Sequence, residues 1–190
     1  ASELGTIDAW TGVLGFSGQI YFDFGGYSLC AIGLALCFGF EFPDNFRAPY
    51  AARGFSDFWR RWLSALSVGR RYDRDSPLGG IRGGRWMADR NLMLTMLIGG
   101  LWHGASWMFV LWGGLHGLYL VVERHLRGRF ATSTSGQQGP QIPLTLLTFL
   151  LVTLAWIPFR SADMQTVGSV FAGLLRFGVP VHLDPMPTLC

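Results

Sequence analysis

The chain has 190 residues, of which 50% are hydrophobic, 15% are aromatic and only 14% are charged. This composition is too apolar for an ordinary water-soluble surface, and it excludes a disordered chain, a collagen-like repeat and a nucleic-acid-binding tail. The net charge of +3 comes from 15 arginines and no lysine, and ten of the arginines lie between Arg47 and Arg90, so the basic residues form a local cluster.

Three apolar runs predict membrane helices. Residues 9–40 contain one charge, Asp23, whereas residues 91–122 and residues 142–159 contain none. Each run reaches the roughly 18 to 20 residues that a helix needs to cross a hydrocarbon core of about 30 Å. Open strands cannot cross lipid with unpaired amides, and period-two alternation is absent. The sequence therefore predicts an all-α polytopic membrane protein, with residues 1–190 forming one partial membrane domain.

The segment between the first two runs, residues 41–90, is the least hydrophobic. Its prolines and glycine pairs predict turns and short helices. Aromatic and aliphatic residues beside Arg60 and Arg61 in Phe55 to Leu66 are typical of a helix that lies in the membrane interface. Beside membrane spans, such a basic segment indicates contact with lipid headgroups or an anionic donor, not with nucleic acid.

The run 91–122 is too long for one straight membrane helix, because 32 helical residues would extend about 48 Å. Its glycine pairs, Gly99-Gly100 and Gly113-Gly114, predict a kink, a re-entrant turn or a hairpin. Basic residues lie on both sides of the run. If both stay cytoplasmic, the run must enter the membrane and return.

His103 and His116 are the only residues in this run whose side chains ionise near neutral pH. Ionisable groups are expensive in lipid, so they usually face a cavity or a partner and have a function. Gly104 would let a substrate or another helix approach His103, which in its neutral form could act as a general base. The alternative is a structural histidine that donates to a backbone carbonyl freed by the nearby glycines.

Other chemistries fit the residues poorly. Ser106 does not lie in the G-x-S-x-G pattern of a hydrolase, and the spacing of 13 residues between the histidines favours no metal site. We expect no tightly bound cofactor. Asp23 is expected to have a structural role, by binding an arginine or by capping a helix at a break near Gly25-Gly26.

Seven segments, taken together, resemble the membrane-bound O-acyltransferase (MBOAT) family. They are QIYFDFGGYS (19–28), AIGLALCFGFEFPDNF (31–46), PY (49–50), FWRRW (58–62), PLGGIRGG (77–84), RNLMLTMLIGGLWHGASWMFVLWGGLHGLYLVVER (90–124) and LTFLLVTLAWIPFRS (147–161). The similarity is to the alginate O-acetyltransferase branch, which also resembles the D-alanyl transferase of teichoic acid modification.

The resemblance implies a bundle of many membrane helices, some broken or re-entrant, in the bacterial inner membrane. It implies transfer of an acetyl or other acyl group from a thioester, either acetyl-CoA or a carrier-bound thioester, to a hydroxyl of a secreted or cell-surface polysaccharide such as alginate, or to a periplasmic acetylation partner. The family's invariant histidine falls on His103, the expected catalytic base. His116, Trp102 and Asp23 are candidate supporting residues.

The chain departs from the family in two ways. Members are normally more than twice as long, so we expect a C-terminal fragment. After W-R-R-W the family usually has His, whereas this chain has Leu63, followed by GRRYDRDS where an aromatic stretch belongs. Impaired activity, a reading-frame change affecting residues 63–76, or a slow enzyme that uses His103 alone would each fit this pattern.

Two functions from other classes therefore stay open. One is a non-catalytic or degenerate membrane scaffold of a polysaccharide-acetylation complex, which Leu63 favours. The other is a channel or transporter with His103 in its pathway, which fits the composition but not the set of motifs.

Overall fold

The computed structural model describes residues 4–44, 46–62, 84–130 and 142–177, with side chains up to residue 127 in the third range. In these ranges it contains six α-helices and one short 3-10 helix, and no strand. They are α1 (Thr6–Cys37), the 3-10 helix (Pro49–Ala51), α2 (Phe55–Trp62), α3 (Arg85–Trp102), α4 (Trp107–Phe130), α5 (Ile142–Arg160) and α6 (Met164–Leu175). The all-α prediction is confirmed.

Helices α1 and α5 are long and apolar enough to cross a membrane, by length and composition. Large apolar side chains project outward from α1, among them Phe22, Leu29 and Leu34, which are 72%, 67% and 63% exposed. Water disfavours such a continuous apolar surface and lipid accepts it. The described helices therefore fit a membrane setting.

The helix break predicted near Gly25-Gly26 is not present. Helix α1 is continuous over 32 residues, so residues 9–40 hold one long helix and Asp23 caps no helix end. An interior glycine costs a helix only about 1 kcal/mol relative to alanine, and no proline interrupts the segment. The glycine pair is therefore tolerated within the helix.

The run 91–122 forms a hairpin, one of the three alternatives that its length predicts. Helix α3 ends at Trp102 and α4 begins at Trp107. The two helices pack so closely that a Cβ added to Gly100 would lie 2.3 Å from the carbonyl oxygen of Phe109. On the other side, a Cβ on Gly113 would lie 2.3 Å from the carbonyl oxygen of Met96. One glycine from each predicted pair thus sets the approach of the two helices.

A core of aromatic and aliphatic side chains joins α2, α4 and α5. Its buried members include Phe58, Trp62, Trp112, Val152 and Trp156. The apolar side of α2 is thus covered by protein, and Arg60 on the same helix stays exposed. The predicted continuation of this helix to Leu66, and the other features predicted in residues 63–83, lie outside the described residues.

Candidate active site

His103 lies at the break between α3 and α4. Its backbone N–H donates to the carbonyl oxygen of Gly100 at 3.0 Å and so closes the last turn of α3. Gly104 follows with φ +155°, and a Cβ there would lie 2.7 Å from Cε2 of Phe109. Glycine is required at this position because a side chain would collide with the ring that covers it. The group that approaches Gly104 is therefore Phe109.

Ser106 begins the next helix. Its Oγ accepts a hydrogen bond from the backbone N–H of Met108 at 3.2 Å, which satisfies one of the free donors in the first turn of α4. This contact gives the hydroxyl a capping role. The break is thus built by a glycine and a serine cap, and it holds His103 at the tip of the hairpin.

The imidazole of His103 is exposed, and aromatic rings contact one side of it. The ring centroids of Phe159 and Trp112 lie 5.2 Å and 5.3 Å from that of His103, both in edge-to-face geometry. The Trp102 ring, at 5.4 Å, is itself 84% exposed and does not bury the histidine. The described residues therefore fix the orientation of His103 and leave it accessible.

A groove beside this aromatic wall contains Asp23. It has a volume of about 360 Å³ and lies where α1 meets the end of α5 and the start of α4. Its lining residues are Phe16, Gln19, Ile20, Asp23, Phe24, Phe109, Phe159 and Arg160. Phe109 and Phe159 also contact the His103 ring, with centroids at 6.2 Å and 5.2 Å. The groove and the histidine therefore share a wall.

Three polar groups could meet a substrate in this groove. Gln19 and Asp23 lie one helical turn apart on α1, and the guanidinium of Arg160 lies 5.7 Å from the centroid of the Phe16 ring. An amide, a carboxylate and a guanidinium together can bind hydroxyl groups and anions. In this setting Asp23 is a candidate substrate-binding residue.

His116 occupies a very different environment, although it lies only 13 positions from His103. Its side chain is 0% exposed, and both ring nitrogens lack a hydrogen-bond partner within the part of the chain that the structure describes. The rings of Trp59 and Trp112 each lie 5.1 Å from it between centroids. The hydrogen bond to a freed carbonyl, the structural alternative from the sequence, is thus not seen at His116.

Charged residues also lie at the opposite end of the hairpin from His103, where the Ser56 amide of α2 donates to Glu123 of α4 at 2.9 Å. Asp57 of α2 accepts hydrogen bonds from the Arg53 amide at 3.0 Å and from Arg61 Nε at 2.9 Å, and it also pairs with Arg60. Burial alone would raise the pKa of Asp57, but these three donors outweigh it and hold the pKa below its ordinary value. The Asp57 carboxylate thus links the Arg53 amide, which precedes α2, to Arg60 and Arg61 within α2.

Several groups in the site were not predicted from the sequence, namely Gln19, Trp112, Phe159 and Arg160. All four lie within the segments that carry the family resemblance, but nothing in their spacing relates α1 to α5. The one local signal was the separation of four residues between Gln19 and Asp23, which places both on one face if the segment is helical. Leu63, where the family usually has a histidine, lies outside the described residues.

The fold and site define a helical membrane protein with an accessible histidine at a helix break. No family model matches the chain. It is 44% identical over 178 residues to a probable alginate O-acetylase of Azotobacter vinelandii, which covers 93% of this chain and 34% of the relative. It is 42% identical over 175 residues to a peptidoglycan O-acetyltransferase of Helicobacter pylori, with coverage of 92% and 33%.

A more distant match is a teichoic acid D-alanyltransferase of Streptococcus thermophilus, 31% identical over 175 residues, or 86% of this chain and 40% of the relative. The chain spans about a third of the length of the first relatives it matches. It is homologous to the alginate O-acetylases and the peptidoglycan O-acetyltransferase, and the predicted resemblance to membrane-bound O-acyltransferases is confirmed.

Proposed function

We propose that the chain carries the base of a membrane O-acyltransferase that acetylates a secreted or cell-surface polysaccharide. The observation that carries the proposal is the accessible imidazole of His103, oriented by Trp112 and Phe159 at a helix break. It lies beside a groove that contains Gln19, Asp23 and Arg160. Homology to O-acetylases supports the reaction class. The location that fits this function is the bacterial inner membrane, with several spans.

The proposed step is a single acyl transfer. The hydroxyl oxygen of the acceptor attacks the thioester carbonyl carbon while its proton passes to the neutral imidazole of His103. The carbon–sulfur bond then breaks, and the imidazolium returns the proton to the leaving thiolate. The products are an acetyl ester and a free thiol, so the histidine ends in its starting state.

Alginate is the first candidate acceptor, either directly or through a periplasmic partner that passes the acetyl group on. Alginate is a polymer of uronic acids, so each sugar carries a carboxylate beside its hydroxyls. The groove offers a guanidinium, which recognises carboxylates well, and an amide and a carboxylate that can hold hydroxyls. Relatives named for alginate O-acetylation support the same choice.

The test is transfer of labelled acetyl in membranes that contain the full chain. Acetyl-CoA and an acetylated carrier thiol are supplied separately, with alginate oligomers or a neutral glucan as acceptor. We expect label in alginate, and we expect Arg160→Gln to reduce transfer to alginate while Arg53→Gln, at an exposed arginine outside this groove, leaves it unchanged. Equal labelling of alginate and glucan, with no effect of Arg160→Gln, would contradict the uronate acceptor.

A second candidate function is a scaffold that keeps the fold and holds the acetylation partners without catalysing transfer. The specific observation in its favour is Leu63, which stands where the family usually has a histidine. Leucine can neither hold a proton nor position a donor by hydrogen bonding. A large gain of transfer in Leu63→His would identify an impaired enzyme, whereas no transfer in either form would favour the scaffold.

A further inference from the structure

A second groove lies at the other end of the α3–α4 hairpin. It has a volume of about 610 Å³ and is lined by Arg85, Trp86, Asp89, Arg90, Met93, Leu118, Val121 and His125. None of these residues lines the groove beside His103. The 18 residues of α3 rise about 27 Å, so Arg85 and the histidine turn lie at opposite ends of the hairpin.

This groove, which we call the basic groove, has a mostly apolar surface, and its charged residues lie at one end. Arg85, Asp89 and Arg90 stand in the first two turns of α3, and His125 stands in the last part of α4. Met93 lies eight residues beyond Arg85, about 12 Å further along α3. Together with Leu118 and Val121 it gives the inner part of the groove an apolar surface.

The charged end has more positive than negative groups. Asp89 lies 3.3 Å from Nη1 of Arg124 and 2.9 Å from Nε2 of His125, so its carboxylate is already engaged. Arg90 donates to Oδ1 of Asn91, a neutral group, and therefore keeps its charge. This end of the groove thus has three arginines, Arg85, Arg90 and Arg124, and one carboxylate, that of Asp89. A ligand with a negative charge fits this end.

The neighbouring tryptophan indicates the level of the membrane. Trp86 is 82% exposed beside the arginines. Exposed tryptophan next to arginine is typical of the membrane–water interface, where basic residues meet anionic headgroups. A soluble phosphate could use only the arginines, whereas a lipid would also cover the apolar surface that continues inward.

We propose that the basic groove binds one anionic phospholipid, with its phosphate at Arg85 and Arg90 and an acyl chain along Met93, Leu118 and Val121. The lipid would fill a gap between α3 and α4 that the described side chains leave open. This site is separate from the proposed catalytic groove, and its test does not depend on acetyl transfer.

The test uses the full chain in nanodiscs that contain brominated phosphatidylglycerol or brominated phosphatidylcholine, which quench nearby tryptophans. We expect quenching by the anionic lipid to saturate at a low mole fraction, and we expect Trp86→Phe to remove that component. At about fivefold per arginine near an anionic surface, Arg85→Gln/Arg90→Gln should weaken the preference for phosphatidylglycerol about 25-fold.

The matched control is Arg47→Gln/Arg53→Gln, which removes two exposed arginines outside the basic groove and should change the preference less than twofold. An equal loss in both double variants would overturn the proposal, because attraction would then be a property of the whole basic surface. Val121→Phe, which fills the apolar part, keeps every charge and adds no tryptophan, should also abolish the saturable quenching. Unchanged quenching in that variant, or displacement by glycerol phosphate as effective as by lipid, would show a phosphate site without a lipid and overturn the assignment.

Discussion

The indole of Trp112 lies against the imidazole of His103, edge to face, with 5.3 Å between the ring centroids. The same indole lies 5.1 Å from His116, again between ring centroids. One buried ring therefore contacts both an exposed histidine and a fully buried one. The exposed ring can reach a substrate, and the buried ring supports the wall behind it.

Trp112 should therefore matter for the stability of the fold. Replacement by alanine removes a fully buried aromatic side chain and should cost about 3–5 kcal/mol of unfolding free energy. Trp112→Phe keeps an aromatic ring beside His103 and should cost less than half as much unfolding free energy. Thermal unfolding in detergent measures the cost of each substitution. Equal melting temperatures for wild type and Trp112→Ala would contradict the packing described.

At position 116, the free energy of unfolding should depend on the shape of the side chain more than on its hydrogen-bonding groups. Its ring nitrogens make no hydrogen bond within the described ranges, so His116→Phe keeps the aromatic packing and should be neutral or stabilising by about 1 kcal/mol. His116→Ala leaves a cavity and should cost about 2–4 kcal/mol. If His116→Phe unfolds normally but loses transfer, His116 takes part in the chemistry and is more than a supporting ring.

Substitutions of the hairpin glycines test how closely α3 and α4 pack. Gly113→Ala would place a Cβ 2.3 Å from the carbonyl oxygen of Met96, so the helices must separate, at a cost of about 1–3 kcal/mol. Gly99→Ala is the matched control, because nothing lies within 4 Å of a Cβ there, and it should stabilise slightly. A similar melting temperature in both variants would argue against close packing of α3 and α4.

Asp57 should make the fold sensitive to acid. Because the pKa of Asp57 in the folded state lies below its ordinary value of 3.8, its charge stabilises the fold at pH above that value. This contribution is lost as the pH falls through the lower folded-state pKa. Asp57→Asn should cost about 1–2 kcal/mol at pH 7 and less at pH 3, because below pH 3.8 the carboxyl of the unfolded chain gains its proton before that of the folded chain. A cost that does not change between these pH values would contradict the assignment.

The sequence predicted some features well because they depend on local chemistry. The length of the 91–122 run and its glycine pairs indicated that it could not be one straight helix, and the structure places the break at Trp102 to Trp107. Local propensity was misleading at Gly25-Gly26, because two glycines do not end a helix that is otherwise apolar and free of proline. The helix continues through them.

The site was only partly predictable for a different reason. His103 stood out because an ionisable residue in an apolar run is rare, and the same reasoning applied equally to His116. Only packing separates them: one side chain lies at a helix break and the other inside an aromatic core. The groove joins α1 to the end of α5, residues that are more than 130 positions apart in the sequence. The spacing of Gln19, Asp23 and Arg160 in the sequence therefore could not predict that they lie together in this groove.

The measurement that tests the account most directly is acetyl transfer by His103→Gly with and without added imidazole. The assay is run in the wild-type chain and again with Leu63→His. We expect transfer to fall by about 10²- to 10⁴-fold with an unchanged melting temperature, because the side chain is exposed, and we expect imidazole to restore part of it. Transfer at the wild-type rate by His103→Gly would contradict the assignment of His103 as the base.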